Sequence, residues 1–129
     1  MDVISDFLTR VRNAGQAKHE KVDVPSSKVK AGIAEILKDA GLIKDFRVVK
    51  VGVQSMMRIY LRYLDNGDHA IEELRRVSTP GRRVYVKCER IPKVRSGYGF
   101  SILSTNKGII SSKEAEEKKL GGELLCQVW

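Results

Sequence analysis

The sequence predicts an α+β fold of two small α/β domains, and three patterns carry that prediction. Two stretches in the first forty residues repeat apolar side chains every three or four positions, the period of a helix with one buried face. From residue 42 onward, apolar residues alternate or run in short blocks between turn residues, as strands do. A firm break at Thr79-Pro80-Gly81 divides the chain of 129 residues. The expected N-terminal domain spans 1–78, with two helices and a three-stranded sheet. The expected C-terminal domain spans 79–129 and is mostly β with one short helix.

The elements follow in order. Val3, Ile4, Phe7, Leu8, Val11 and Ala14 line one face of a first helix, which Gly15 is expected to end. Lys21-Val22-Asp23-Val24-Pro25 alternates as a short strand. Ser26 or Ser27 then caps a second helix whose stripe is Val29, Ile33, Ile36, Leu37 and Ala40, with Gly41 at its C′ position. Residues 42–51 and 56–63 read as strands joined through 52–55, and Asn66-Gly67 as another turn. Residues 71–78 fit strand or helix equally. After the break, 83–88 alternates, with Val84 and Val86 on one face and Arg83, Tyr85 and Lys87 on the other. A basic loop over 91–96 leads to a strand over 98–103. Ser111 and Glu114 form a capping box for a short helix, which Gly121-Gly122 is expected to end before a last strand over 123–129.

Several function classes drop out. No apolar run approaches the ~20 residues of a membrane-crossing helix. The first residues carry an acid at position 2 and lack a basic-then-apolar leader, so an intracellular protein is expected. Cys88 and Cys126 lie far apart without a CxxC pair, and His19 and His69 stand alone. Two buried thiols in a reducing compartment and no zinc site are therefore expected. Gly97-Tyr98-Gly99 lacks the third glycine of a dinucleotide fingerprint, and no nucleophile elbow or phosphate loop occurs. No catalytic residue, metal or cofactor is expected.

The charge is more informative. The net charge is +8 and it is uneven: residues 1–75 hold 13 Lys/Arg against 11 Asp/Glu, and residues 76–129 hold 11 against 5. Between Arg76 and Lys107, 8 cations meet only Glu89. Such an excess favours a polyanion, because each phosphate neutralised releases a condensed counterion. An acidic protein or an anionic membrane surface is served by the same charge. Ser104-Thr105-Asn106-Lys107-Gly108 then sets two hydroxyls, an amide, an ammonium and a glycine between two apolar segments. In an extended chain Ser104 and Asn106 point the same way. Small donors and acceptors suit the wide, shallow minor groove of an A-form helix. Lys107 suits a phosphate and Gly108 a close backbone approach; a solubilised turn is the alternative. Glu123 is the odd acid among these residues, tolerable near phosphates if it accepts from base amino groups or orients a neighbour. Lys28 and Lys30, in the first turn of the second helix, oppose its dipole unless an anion lies close.

Read together, these motifs have a familiar order. Pro80-Gly81-Arg82-Arg83-Val84-Tyr85, Ile91-Pro92-Lys93-Val94, Gly97-Tyr98-Gly99, the stretch from Ser104 to Gly108 and Gly121-Gly122-Glu123-Leu124-Leu125-Cys126 resemble the bacterial small-subunit ribosomal protein number eight family. The N-terminal half fits through residues 6–14 and 25–30, so the resemblance covers essentially the whole chain. It implies a non-enzymatic ribosomal protein, monomeric when free, that binds the central domain of small-subunit ribosomal RNA at an irregular helix with an internal loop and supports assembly. It also implies, for a bacterial member, repression of its own operon messenger through a similar RNA fold. The RNA contacts carried over are Ser104, Thr105, Asn106, Lys107, Gly108 and Glu123. Tyr85, Arg82, Arg83 and Lys87 come near the RNA, and Lys28 and Lys30 give a secondary contact. Small-subunit protein number five is an implied neighbour. Asn106 departs from the family pattern, which more often has Ser there. A basic module docking an acidic protein and an RNA-processing enzyme are the rival classes.

Overall fold

The computed structural model describes residues 3–129. The chain forms two compact units, Val3–Glu72 and Glu73–Trp129. The first holds α1 (Val3–Gln16), β1 (Lys21–Pro25), α2 (Lys28–Asp39), β2 (Ile43–Val51) and β3 (Gln54–Leu61). The second holds β4 (Leu74–Arg76), β5 (Tyr85–Val86), two single 3-10 turns, β6 (Phe100–Thr105), β7 (Gly108–Ser111), α3 (Ser112–Lys118) and β8 (Gly122–Val128). The architecture is α+β, as the patterning predicts. Strand β4 precedes the Thr79-Pro80-Gly81 break yet pairs with β8, so the chain passes between units after Glu72 rather than after Ser78.

In the first unit the antiparallel sheet has the order β1-β3-β2. Met57, Ile59 and Leu61 alternate along β3 and are buried with Phe7, Leu8 and Val11 of α1 and Ile33 and Leu37 of α2. Each such side chain contributes on the order of 1.5–3 kcal/mol by leaving water. Val3, expected on the buried face, is exposed. On the open face Arg58 grips its register partner Asp23 through contacts of 2.9 and 3.2 Å. Ser27 caps α2 by accepting from the Lys30 N–H at 3.2 Å. The helix closes at Gly41 (φ +75), whose N–H donates to the Lys38 carbonyl, while the Leu42 N–H reaches the Leu37 carbonyl.

The other two expected helix stops are not stops. α1 continues through Gly15 and closes at Lys18 (φ +61), with the His19 N–H on the Ala14 carbonyl at 3.0 Å. α3 closes at Lys119 (φ +56), with the Leu120 N–H on the Ala115 carbonyl at 2.9 Å, ahead of Gly121. A lysine in this left-handed conformation costs about 1 kcal/mol. The glycines serve close approach instead: a Cβ on Gly15 would lie 2.2 Å from the His69 ring, and one on Gly121 2.6 Å from the Val86 carbonyl oxygen.

The second sheet has the order β4-β8-β6-β7, with β5 added to β8. Leu103, Ile110 and Leu124 form its core with Ile91 and Ala115, and Val84, Val86 and Leu120 pack around them. Ser111 caps α3 by accepting from the Glu114 N–H at 3.3 Å. The expected strand over 83–88 pairs only at Tyr85 and Val86. β8 begins at Gly122, opposite Val86, so Lys87 has no partner strand and the chain turns into the 3-10 turn Cys88–Arg90. Strand β7 has no counterpart in the sequence reading.

Candidate nucleic-acid interface

Glu123 on β8 lies opposite Ser104 on β6 and opposite Tyr85 on β5. Directly opposed residues of antiparallel strands project to the same side. Tyr85, Glu123 and Ser104 therefore make a row across three strands. Leu103, just before Ser104, and Leu124, just after Glu123, point to the core shared with α3, so the row faces the other way. Gly122 lets β6 come close, since a Cβ there would sit 2.2 Å from the Ser104 carbonyl oxygen. Tyr85 is 70% exposed.

The hairpin between β6 and β7 closes at the Thr105–Gly108 pair. The Thr105 hydroxyl accepts from the Lys107 N–H at 3.1 Å and donates to the Gly108 carbonyl at 3.0 Å. Gly108 takes φ +104, which a residue with a side chain would resist. Thr105 and Gly108 are thus turn chemistry. Because the extended run ends at Thr105, the expected same-facing pair of Ser104 and Asn106 does not hold. Asn106 and Lys107 instead occupy the exposed tip.

The Glu123 carboxylate is committed. Its Oε2 accepts from the Ser78 hydroxyl and from Arg83 Nη1 at 3.0 Å. Ser78 is fully buried, and its oxygen also accepts from the Val84 N–H at 3.2 Å. A bulge explains how Ser78 gets there. β6 pairs with Cys126 and then with Leu124, which leaves Leu125 extra. The Leu125 carbonyl turns to the preceding segment and accepts from the N–H groups of Val77 (3.0 Å) and Ser78 (3.3 Å) and from Arg76 Nη1 (2.7 Å). The sequence offered no signal for Ser78, which falls in the stretch that fits strand or helix equally.

Burial pushes the Glu123 pKa up, but the hydrogen bonds from Ser78 and Arg83 and the charges of Arg83 and Arg76 outweigh it, leaving the carboxyl below its ordinary value. A lowered folded-state pKa contributes stability that is present above the unfolded value and is lost as pH falls through the folded one. The stability of the native chain should therefore fall more steeply between about pH 5 and pH 3 than that of Glu123→Gln. Urea unfolding across that range checks it, and equal slopes would show that the network contributes nothing.

The family described as Ribosomal protein S8 matches residues 2–129. The chain belongs to that family. It is 62% identical over 129 residues to the small ribosomal subunit protein uS8 of Bdellovibrio bacteriovorus, covering 100% of both chains. It is 53% identical to the uS8 protein of Geotalea daltonii and 51% identical to that of Streptococcus equi subsp. zooepidemicus, each over 128 residues, 99% of this chain and 97% of the relative. Members of the family are structural, non-enzymatic proteins of the ribosome.

Within this family member, the remaining expected contacts fall unevenly. Arg82 and Arg83 are exposed; Arg82 closes a tight turn through reciprocal Thr79–Arg82 backbone bonds of 3.0 Å, and Arg83 follows it. Lys87 is exposed beside Tyr85 in the chain, and Lys28 is exposed at the start of α2. Lys30 corrects the expectation: it is buried, and its Nζ donates to the Pro25 carbonyl at 2.9 Å. Its ammonium braces the link from β1 to α2 and is not presented outward. Burial pushes the Cys126 thiol up to about 12, so it is an inert core residue. Among the described residues, no group of three or more His, Cys, Asp or Glu side chains is placed to hold a metal, and no helix is long and apolar enough to cross a membrane.

Proposed function

We propose that this chain binds small-subunit ribosomal RNA directly, at an irregular, internal-loop helix of the central domain, and supports assembly of the small subunit in the cytoplasm. The same surface takes a similar fold in its own operon messenger, and small-subunit protein number five is its neighbour. The observation that carries the reading is the row of Tyr85, Glu123 and Ser104 beside the exposed tip at Asn106 and Lys107. Lys107, Arg82, Arg83 and Lys87 supply cations around a small polar surface, so phosphates give affinity and the row gives shape. Thr105 and Gly108 act through the backbone path of the turn. Lys28 gives the secondary contact without Lys30.

The test is a salt titration of binding to two short RNAs, an internal-loop helix and a fully paired helix of equal length. The native chain should prefer the internal loop at every salt. Ser104→Ala/Asn106→Ala should lose most of that preference, by about 1–3 kcal/mol per contact, and keep the salt slope. Lys107→Ala should weaken both RNAs alike and lower the slope by about one phosphate. Equal binding of both RNAs by the native chain, vanishing at moderate salt, would return the loop to a polar turn and leave an acidic protein as the better partner.

A further inference from the structure

We propose that Ser78 is a positioning residue for RNA recognition: its hydroxyl sets the Glu123 carboxylate, which holds the Arg83 guanidinium at the row of Tyr85, Glu123 and Ser104. The inference rests on the RNA reading above and adds a residue that reading does not assign. Three observations carry it. The two hydrogen bonds to Glu123 converge on one oxygen, Oε2, and its side chain is only 16% exposed while that of Arg83 is 47% exposed. Ser78 also accepts from the N–H of Val84, the residue after Arg83, so one buried hydroxyl fixes the path of the chain at Arg83 as well as the anchor of its guanidinium. Ser78 is itself fixed, because the bulge in β8 points the Leu125 carbonyl at its N–H.

The chemistry follows. A free carboxylate aimed at RNA repels phosphate. A carboxylate bound to Arg83 turns that repulsion into orientation, because the rigid guanidinium fork presents its other N–H donors in a fixed direction. Arg83 is then the outward member of the pair and Glu123 its pivot. Without Ser78 the pivot loses a hydrogen bond, and Arg83 keeps its charge but not its direction. Charge counts phosphates, whereas direction discriminates shapes.

The experiment uses the full chain with Ser78→Ala and Ser78→Cys. The cysteine fills nearly the same buried space with a weak donor, which separates a packing defect from a lost hydroxyl. The Glu123 side-chain carboxyl is titrated by carbon-detected NMR in the free protein, and binding is measured to the internal-loop and paired RNAs across salt. In both variants the Glu123 midpoint should move up and the preference for the internal loop should fall about tenfold, with the salt slope unchanged. A preference and midpoint that stay native in Ser78→Cys would overturn the proposal. So would a salt slope that drops with the preference, since Ser78 would then act through phosphate contacts. A native chain that shows no preference overturns the RNA reading and this role together, whereas a native preference that survives both substitutions overturns the role of Ser78 alone.

Discussion

Gly122→Ala is expected to destabilise the chain by about 3 kcal/mol and to remove the preference proposed above for internal-loop RNA. The added Cβ would lie 2.2 Å from the Ser104 carbonyl oxygen and 3.0 Å from the Ser104 carbonyl carbon. Both are backbone atoms in the β6–β8 pairing, so no side chain can swing aside. The strand must shift, and it carries Ser104 away from Glu123 and the Asn106–Lys107 tip with it. A comparison with Gly81→Ala isolates the cause. Gly81 lies in the same unit beside Arg82, has nothing within 4 Å of its would-be Cβ and does not take positive φ. That substitution should stay within about 0.5 kcal/mol of the native chain and leave the proposed RNA selectivity intact. Urea unfolding and the two-RNA assay measure both quantities. If Gly122→Ala unfolds and discriminates like the native chain, the close approach of β8 to Ser104 is not what sets the row.

The glycines show where a sequence is legible and where it is not. The period of the apolar residues located α1, α2 and the sheet of the first unit, because burial on one face is a local, repeating demand. A cap at Ser26 or Ser27 and one at Ser111 are readable for the same reason, because a cap satisfies donors three residues away; the structure selects Ser27. Gly15 and the Gly121-Gly122 pair look like local stops, but the need they meet is remote. Gly15 faces His69, and Gly121 and Gly122 face Val86 and Ser104. Nothing in the local spacing encodes that contact, so the helices end on Lys18 and Lys119 in a conformation that glycine would adopt more readily. The site divides along the same line. The motif from Ser104 to Gly108 could be picked out by composition. Composition could not say that Thr105 and Gly108 build the turn, that Lys30 is turned to a carbonyl, or that Ser78 stands behind Glu123. Pairings across tens of residues depend on register, and register here depends on a bulge at Leu125.

Gly15→Ala should reverse the usual sign of its substitution. In a helix interior, alanine is normally favoured over glycine by about 0.5–1 kcal/mol. Here the new Cβ would meet the His69 ring at 2.2 Å to Nδ1, 2.6 Å to Cε1 and 2.7 Å to Cγ. The ring is not free to leave. It stacks at a tilt against Tyr63 with centroids 5.5 Å apart, and Nε2 is buried without a partner among the described residues. The loop that carries it is tied to the end of α1, where the Tyr63 hydroxyl donates to the His19 carbonyl and Lys18 Nζ donates to the Gly67 carbonyl. Burial, and secondarily the charge of Lys18, pushes the His69 pKa down, which favours the uncharged ring. Gly15→Ala alone is therefore expected to destabilise by about 1–2 kcal/mol. In a His69→Ala background the obstruction is gone, and the same substitution should become neutral or stabilising. The coupling across the cycle should reach about 2 kcal/mol, measured by urea unfolding of the four chains. Additivity within about 0.5 kcal/mol would show that the ring yields freely. Gly15 would then be an ordinary helix glycine that alanine could replace with profit to the fold.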